Sequence, residues 1–131
     1  MPGARMTEQK RIYLASPYSS PLKSVRNDRF RIACKAAAEI IAAGHICFSP
    51  ISHSHKIADY LENHNDSDYW VSQDESFLEH WAQEMWILMI PGWKTSKGIK
   101  REILFCKKKK IPVKYIKIPG NYLKPGKILT F

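Results

Sequence analysis

Residues 85–90 read Met-Trp-Ile-Leu-Met-Ile, an apolar run with no polar residue before Pro91 and too short to cross a membrane. A span needs about 20 such residues, whereas a buried strand needs only a few. A strand that does not alternate polar and apolar must be covered on both faces. That requires a parallel sheet with helices on either side. Three more short apolar segments fit the same pattern, at residues 11–15, 45–48 and 112–116. Helical periodicity falls between them: over 22–43, with Gly44 placed to end the helix, over 69–83 with Trp70, Phe77, Leu78 and Trp81 inward, and over 97–108. The segment 51–68 is polar and His-rich and reads as a short helix near 57–61 plus loop. The expected architecture is α/β: a single doubly wound parallel sheet of four to five strands with helices on both faces, Rossmann- or flavodoxin-like. Residues 1–10 read as a flexible tail, 11–118 as one domain, and 119–131 as an extension with a candidate edge strand at 127–131.

A chain of 131 residues can bury a substantial core. No signal peptide or membrane span is read, and the expected location is the cytoplasm. The three cysteines, Cys34, Cys47 and Cys106, lie among apolar neighbours without metal-ligand spacing, so buried thiols are expected rather than a disulfide or a nucleophile. The net charge of +9 invites a nucleic-acid reading, and Lys107-Lys108-Lys109-Lys110 looks like such a patch. These lysines close a helix, where cations favour the dipole. The basic third lacks interleaved aromatics, so nucleic acid is not the expected partner.

Charge is segregated along the chain. Residues 57–93 contain no Lys or Arg, and Glu102 is the only acidic side chain after Trp93. Its helical neighbours Gly98, Ile99, Phe105 and Cys106 are uncharged, so local pairing does not explain it. It follows a strand and a Gly/Ser loop, where open α/β sheets place ligands. Gly98 shares its helical face and would admit a ligand close to the backbone. The loops 16–21, 49–55 and 92–98 should meet at that edge. The first, with Ser16 and Ser19, carries hydroxyls before a helix whose free amides attract phosphate. Neither G-x-G-x-x-G nor G-x-x-x-x-G-K-[ST] is present. Ser96 is the natural cap of the last helix and would also stand beside a phosphate. Lys97, Lys100, Arg101 and that helix's N-terminus are expected to keep Glu102 ionised. Trp93 and Trp70 suit either a stacked base or a core anchor, as does Tyr18. His53 and His55 suit a pocket wall or a loop cap and are weak metal evidence; no metal and no cofactor are called for.

The segments Ile12-Tyr13-Leu14-Ala15-Ser16-Pro17-Tyr18-Ser19, Phe48-Ser49-Pro50-Ile51-Ser52-His53-Ser54-His55 and Pro91-Gly92-Trp93, with Ser96, Gly98 and Glu102, resemble the bacterial and phage DUF1937 family. That family is in turn similar to the nucleoside 2-deoxyribosyltransferases. The resemblance implies a doubly wound fold that cleaves the N-glycosidic bond of deoxynucleosides or their 5′-monophosphates, or transfers the deoxyribosyl group. It implies Glu102 as nucleophile, Tyr13 as the residue orienting it, and Asp74 as the acid assisting the leaving base, with Glu75 and Glu79 as alternatives. Ser96, at the position that separates nucleoside from nucleotide enzymes, leans toward a phosphorylated substrate. Ser16, Ser19, Gly98, Trp93 and His55 complete the expected binding set. A homo-oligomer is also implied, and a non-catalytic nucleotide-binding module on the same scaffold is the competing reading.

Overall fold

The computed structural model describes residues 8–62 and 67–117. Four strands, β1 (Arg11–Ala15), β2 (Ile46–Phe48), β3 (Glu84–Leu88) and β4 (Val113–Ile116), form one sheet in the order β2-β1-β3-β4. All three pairings are parallel, with Tyr13 opposite Phe48 and Met85, and Ile87 opposite Tyr115. The helices are α1 (Lys23–Ala42), α2 (Pro50–Ile57), α3 (Ser67–His80) and α4 (Lys97–Lys109). The sheet is therefore doubly wound, and its order reverses between β1 and β3. The crevice outside the carboxyl ends of those two strands is where such sheets bind ligands. The edge strand expected at 127–131 lies outside the described residues.

Alternation along the central strands divides the core in two. Ile12, Leu14 and Leu88 point to one face and pack with Ile32, Ala36 and Ile40 of α1. Tyr13, Ala15, Met85 and Ile87 point to the other, against Leu78 of α3 and Ile99 and Cys106 of α4. Each large apolar side chain so buried contributes about 1.5–3 kcal/mol. Of the aromatics expected inward on α3, Phe77 stacks on Phe48 with centroids 3.8 Å apart, while Trp70 and Trp81 stay half-buried.

The segment 51–68 departs from expectation. Its helix begins at Pro50, not near Ile57, and a short 3₁₀ turn (Ala58–Tyr60) follows. Ser49 caps it, its Oγ accepting from the Ser52 amide at 3.1 Å, and Pro50 occupies the first turn, where no amide hydrogen is needed. The Ser-Pro pair that ends β2 also starts α2. At the amino end, Gln9 and Lys10, expected in a loose tail, are tied to the domain: Gln9 Nε2 donates to the Gly44 carbonyl at 3.1 Å, and Lys10 Nζ lies 2.8 Å from Glu84. The charge segregation is also accounted for. The acidic helix α3 lies beside the basic helix α4, with Arg101 2.9 Å from Asp68 and Lys109 3.0 Å from Glu79. Among the described residues no helix is long and apolar enough to cross a membrane.

Candidate active site

Tyr13 is fully buried in the middle of β1, and its hydroxyl donates to Glu102 Oε2 on α4. Eighty-nine residues separate the two in sequence. Parallel winding brings them together: β1 and β3 are neighbours, and α4, which follows β3, covers the face toward which Tyr13 points. Ser96 sets where α4 begins, its Oγ accepting from the Ile99 amide at 3.2 Å. Glu102 then falls in the second turn, on the face carrying the buried Ile99 and Cys106.

Asp74 of α3 is the third member. Its Oδ1 is buried without a hydrogen-bond partner, and its charge is felt by both Tyr13 and Glu102. An unpaired buried carboxylate oxygen costs several kcal/mol unless it is protonated or meets a ligand. Burial, with Glu75 nearby, pushes the Asp74 carboxyl up to about 7. Burial likewise pushes Glu102 up to about 8; Asp74 and Glu75 add to this, while the Tyr13 hydrogen bond and Arg101 oppose it. Burial also raises the Tyr13 hydroxyl well above its ordinary value, so it remains a donor. The expectation that neighbouring cations keep Glu102 ionised is therefore corrected. Lys97 and Lys100 are exposed and do not figure among its influences, and the cost of desolvation exceeds what Arg101 supplies. Of the alternatives to Asp74, Glu75 raises the pKa of both Asp74 and Glu102 through its charge, and Glu79 is engaged by Lys109 instead.

The other expected residues are placed as follows. Ser16 closes β1, 8% exposed, with its Oγ unpartnered. Ser19 is exposed, and its carbonyl accepts from Arg29. Gly98 is exposed, and a Cβ there would meet only the Ser96 hydroxyl, at an ordinary contact of 3.8 Å. Trp93 is a loop anchor: it packs on the core that holds Tyr13 and stands 5.6 Å from the Tyr115 ring. His55 is tied up in structure, its Nδ1 2.7 Å from the Tyr18 hydroxyl and its ring stacked 4.0 Å from Phe30. It knits α2 to α1 and to the loop after β1, and burial lowers its pKa.

Two recesses border this core. One, of about 350 Å³, is formed by residues 89–95 of the loop after β3. The other, of about 630 Å³, lies between α2 and α3 and is lined by His53, Ile57, Tyr69, Trp70 and Phe77 among others. Neither wall includes Tyr13, Glu102 or Ser96. What unites Tyr13 and Glu102 is their hydrogen bond, and Ser96 joins them only as the cap of α4. Sequence reasoning missed Arg26 and Arg29 of α1, which bond to main-chain carbonyls of the loops at this edge. Their signal was two arginines three residues apart on the helix after a hydroxyl-rich loop.

The fully buried Tyr13, the half-buried Glu102 and the carboxyl of Asp74 thus stand together on the face of the sheet that α3 and α4 cover. The DUF1937 family, a domain of unknown function, matches residues 10–117. The chain belongs to that family. A comparison with curated proteins finds no match. The matched span of the DUF1937 domain contains every residue of the candidate site, and its limits coincide closely with the start of β1 and the end of β4.

Proposed function

We propose that this DUF1937 protein acts on the N-glycosidic bond of (deoxy)nucleosides or their 5′-monophosphates, cleaving it or transferring the sugar, with Glu102 as nucleophile. The observation that carries the reading is the hydrogen bond from the buried Tyr13 hydroxyl to Glu102, beside an Asp74 oxygen that has no partner. Tyr13 would hold one oxygen of Glu102 and leave the other to attack the anomeric carbon. The base would depart with the bonding electron pair and take a proton from Asp74. Attack on the anomeric carbon of the sugar ester by water, or by a second base, would then free Glu102 with overall retention, the attacking group returning a proton to Asp74, as in retaining glycosidases. One carboxyl must be ionised while the other holds a proton. Because Glu102 holds its proton to about 8 and Asp74 only to about 7, this reading requires substrate binding to reverse that order and leave the proton on Asp74.

Incubation with each deoxynucleoside and its 5′-monophosphate, with chromatography for free base, tests the reading. Release by the wild type that Glu102→Gln abolishes supports it; release that Glu102→Gln leaves unchanged removes Glu102 from the chemistry. One observation favours the second reading, a non-catalytic nucleotide-binding module: burial holds Glu102 up to about 8, so the resting carboxyl is mostly protonated at neutral pH. Binding of a nucleotide without release of base between pH 6 and 9 would select that module. The homo-oligomer implied by the family resemblance belongs to the same proposal and is checked by light scattering.

A further inference from the structure

Arg29 of α1 reaches across the mouth of the sheet. Its Nη1 donates to the Ser19 carbonyl at 2.8 Å and its Nη2 to the Pro91 carbonyl at 3.3 Å. Ser19 lies in the loop after β1 and Pro91 in the loop after β3, the two loops that flank the switch point. The guanidinium lies against the main chain there: a Cβ on Gly92 would collide with Nη2. Arg26, three residues earlier on the same helical face, donates to the Ser20 carbonyl and also acts on the Tyr18 hydroxyl.

Among the described residues neither arginine pairs with a carboxylate. Carbonyl oxygens orient a guanidinium without neutralising it, and each fork keeps further N–H donors. Two positive charges are thus held at the rim by neutral groups. The third polar feature at this edge is the Ser16 hydroxyl, more than nine-tenths buried at the end of β1 and without a partner. The Ser96 hydroxyl, by contrast, is held as the cap of α4, accepting from the Ile99 amide.

We propose that Arg29, supported by Arg26, is the anion-recognition element of this site and takes the phosphate of a phosphomonoester substrate between the loops after β1 and β3. This rests on the functional reading above and names the groups that bind the acidic end of its substrate. A nucleoside 5′-monophosphate needs a cation at one end and a carboxyl at its glycosidic carbon; the arginines stand at the rim while Glu102 lies against the buried Tyr13. The planar fork matters as well as the charge, because it can meet two phosphate oxygens at once.

The test uses the full chain, as wild type, Arg29→Gln and Arg29→Lys, in calorimetric titrations with deoxynucleosides, their 5′-monophosphates and inorganic phosphate. The expected result is that Arg29→Gln weakens monophosphate binding by about tenfold or more and leaves nucleoside binding unchanged, with Arg29→Lys between the two. Equal monophosphate affinity in wild type and Arg29→Gln would overturn the proposal. So would a parallel loss for nucleoside and monophosphate, which is what a purely loop-tying role gives. If wild type binds inorganic phosphate, Arg29→Gln does not, and no nucleotide binds at all, the arginine assignment stands and the nucleotide reading falls. If wild type binds neither phosphate nor any monophosphate, the arginine assignment falls.

Discussion

Tyr13 and Glu102 each have a feature that makes little sense alone. A Tyr in the middle of a buried parallel strand must place its hydroxyl somewhere, and a lone carboxylate in a basic segment must be compensated. Each solves the other's problem, because the hydroxyl donates to the carboxylate and moderates a desolvation that still lifts Glu102 to about 8. Tyr13→Phe keeps the packing and removes that donor. The Glu102 pKa is then expected to rise further above 8, and stability to fall by about 1–2 kcal/mol as a buried oxygen loses its partner. Carbon-13 NMR titration of the glutamate carboxyls measures the shift without requiring turnover. An unchanged Glu102 titration would mean the hydroxyl does not govern its charge. Asp74→Asn should act in the opposite direction, removing a like charge and lowering the Glu102 pKa, so that any base release moves to lower pH even as its rate drops.

At the scale of elements, strands and helices were legible in the sequence to within a few residues wherever burial dictated the pattern. Residues 85–90 had no polar interruption, and β3 occupies most of them, beginning one residue earlier because Glu84 can still reach Lys10 and Lys114 at the sheet's amino edge. The segment 51–68 was misread because its helix is short and polar, with Pro50 as its one buried residue, so periodicity had nothing to report. The capping chemistry of Ser49-Pro50 is the signal the sequence carries for this helix. Ser49→Ala is expected to cost about 1 kcal/mol and to loosen His55 from Tyr18, visible as a lower melting temperature and a shifted His55 resonance. In the candidate site, Glu102 and Tyr13 stand within the motif segments, whereas Asp74 lies outside them and enters only through the family resemblance. The arginine contacts were not legible, because they depend on carbonyls of two loops that only the fold brings within reach of α1. Gly92 sits at φ +98 against Arg29, so Gly92→Ala should destabilise by about 1 kcal/mol or more and displace the guanidinium.

Across the whole molecule, carboxyls are sorted by place, and this sets how stability depends on pH. At the first residue of β3, burial raises Glu84, but its bonds to Lys10, Trp86 and Lys114 outweigh this and hold it down at about 2. Its stabilisation is present above its ordinary value of 4.5 and is lost as the pH falls toward 2. Asp74 and Glu102 work the other way. The unfolded chain ionises them near 3.8 and 4.5, whereas the fold holds their protons to about 7 and 8. Between those limits the native state binds more protons than the unfolded one, so their contribution declines as the pH rises. The expected profile peaks in mild acid and falls toward pH 8. Replacing both groups, as Asp74→Asn with Glu102→Gln, should flatten that upper limb and raise the melting temperature at pH 8 by roughly 4–8 °C, with little change near pH 4. Glu84→Gln should do the reverse, lowering stability at pH 7 and leaving it unchanged near pH 2. Melting curves from pH 3 to 9 separate the two ends of the sheet. A wild-type profile flat between pH 5 and 8, unaltered by the double replacement, would mean that the carboxyls beside Tyr13 are solvated and that the site lacks the electrostatic stress its proposed chemistry would use.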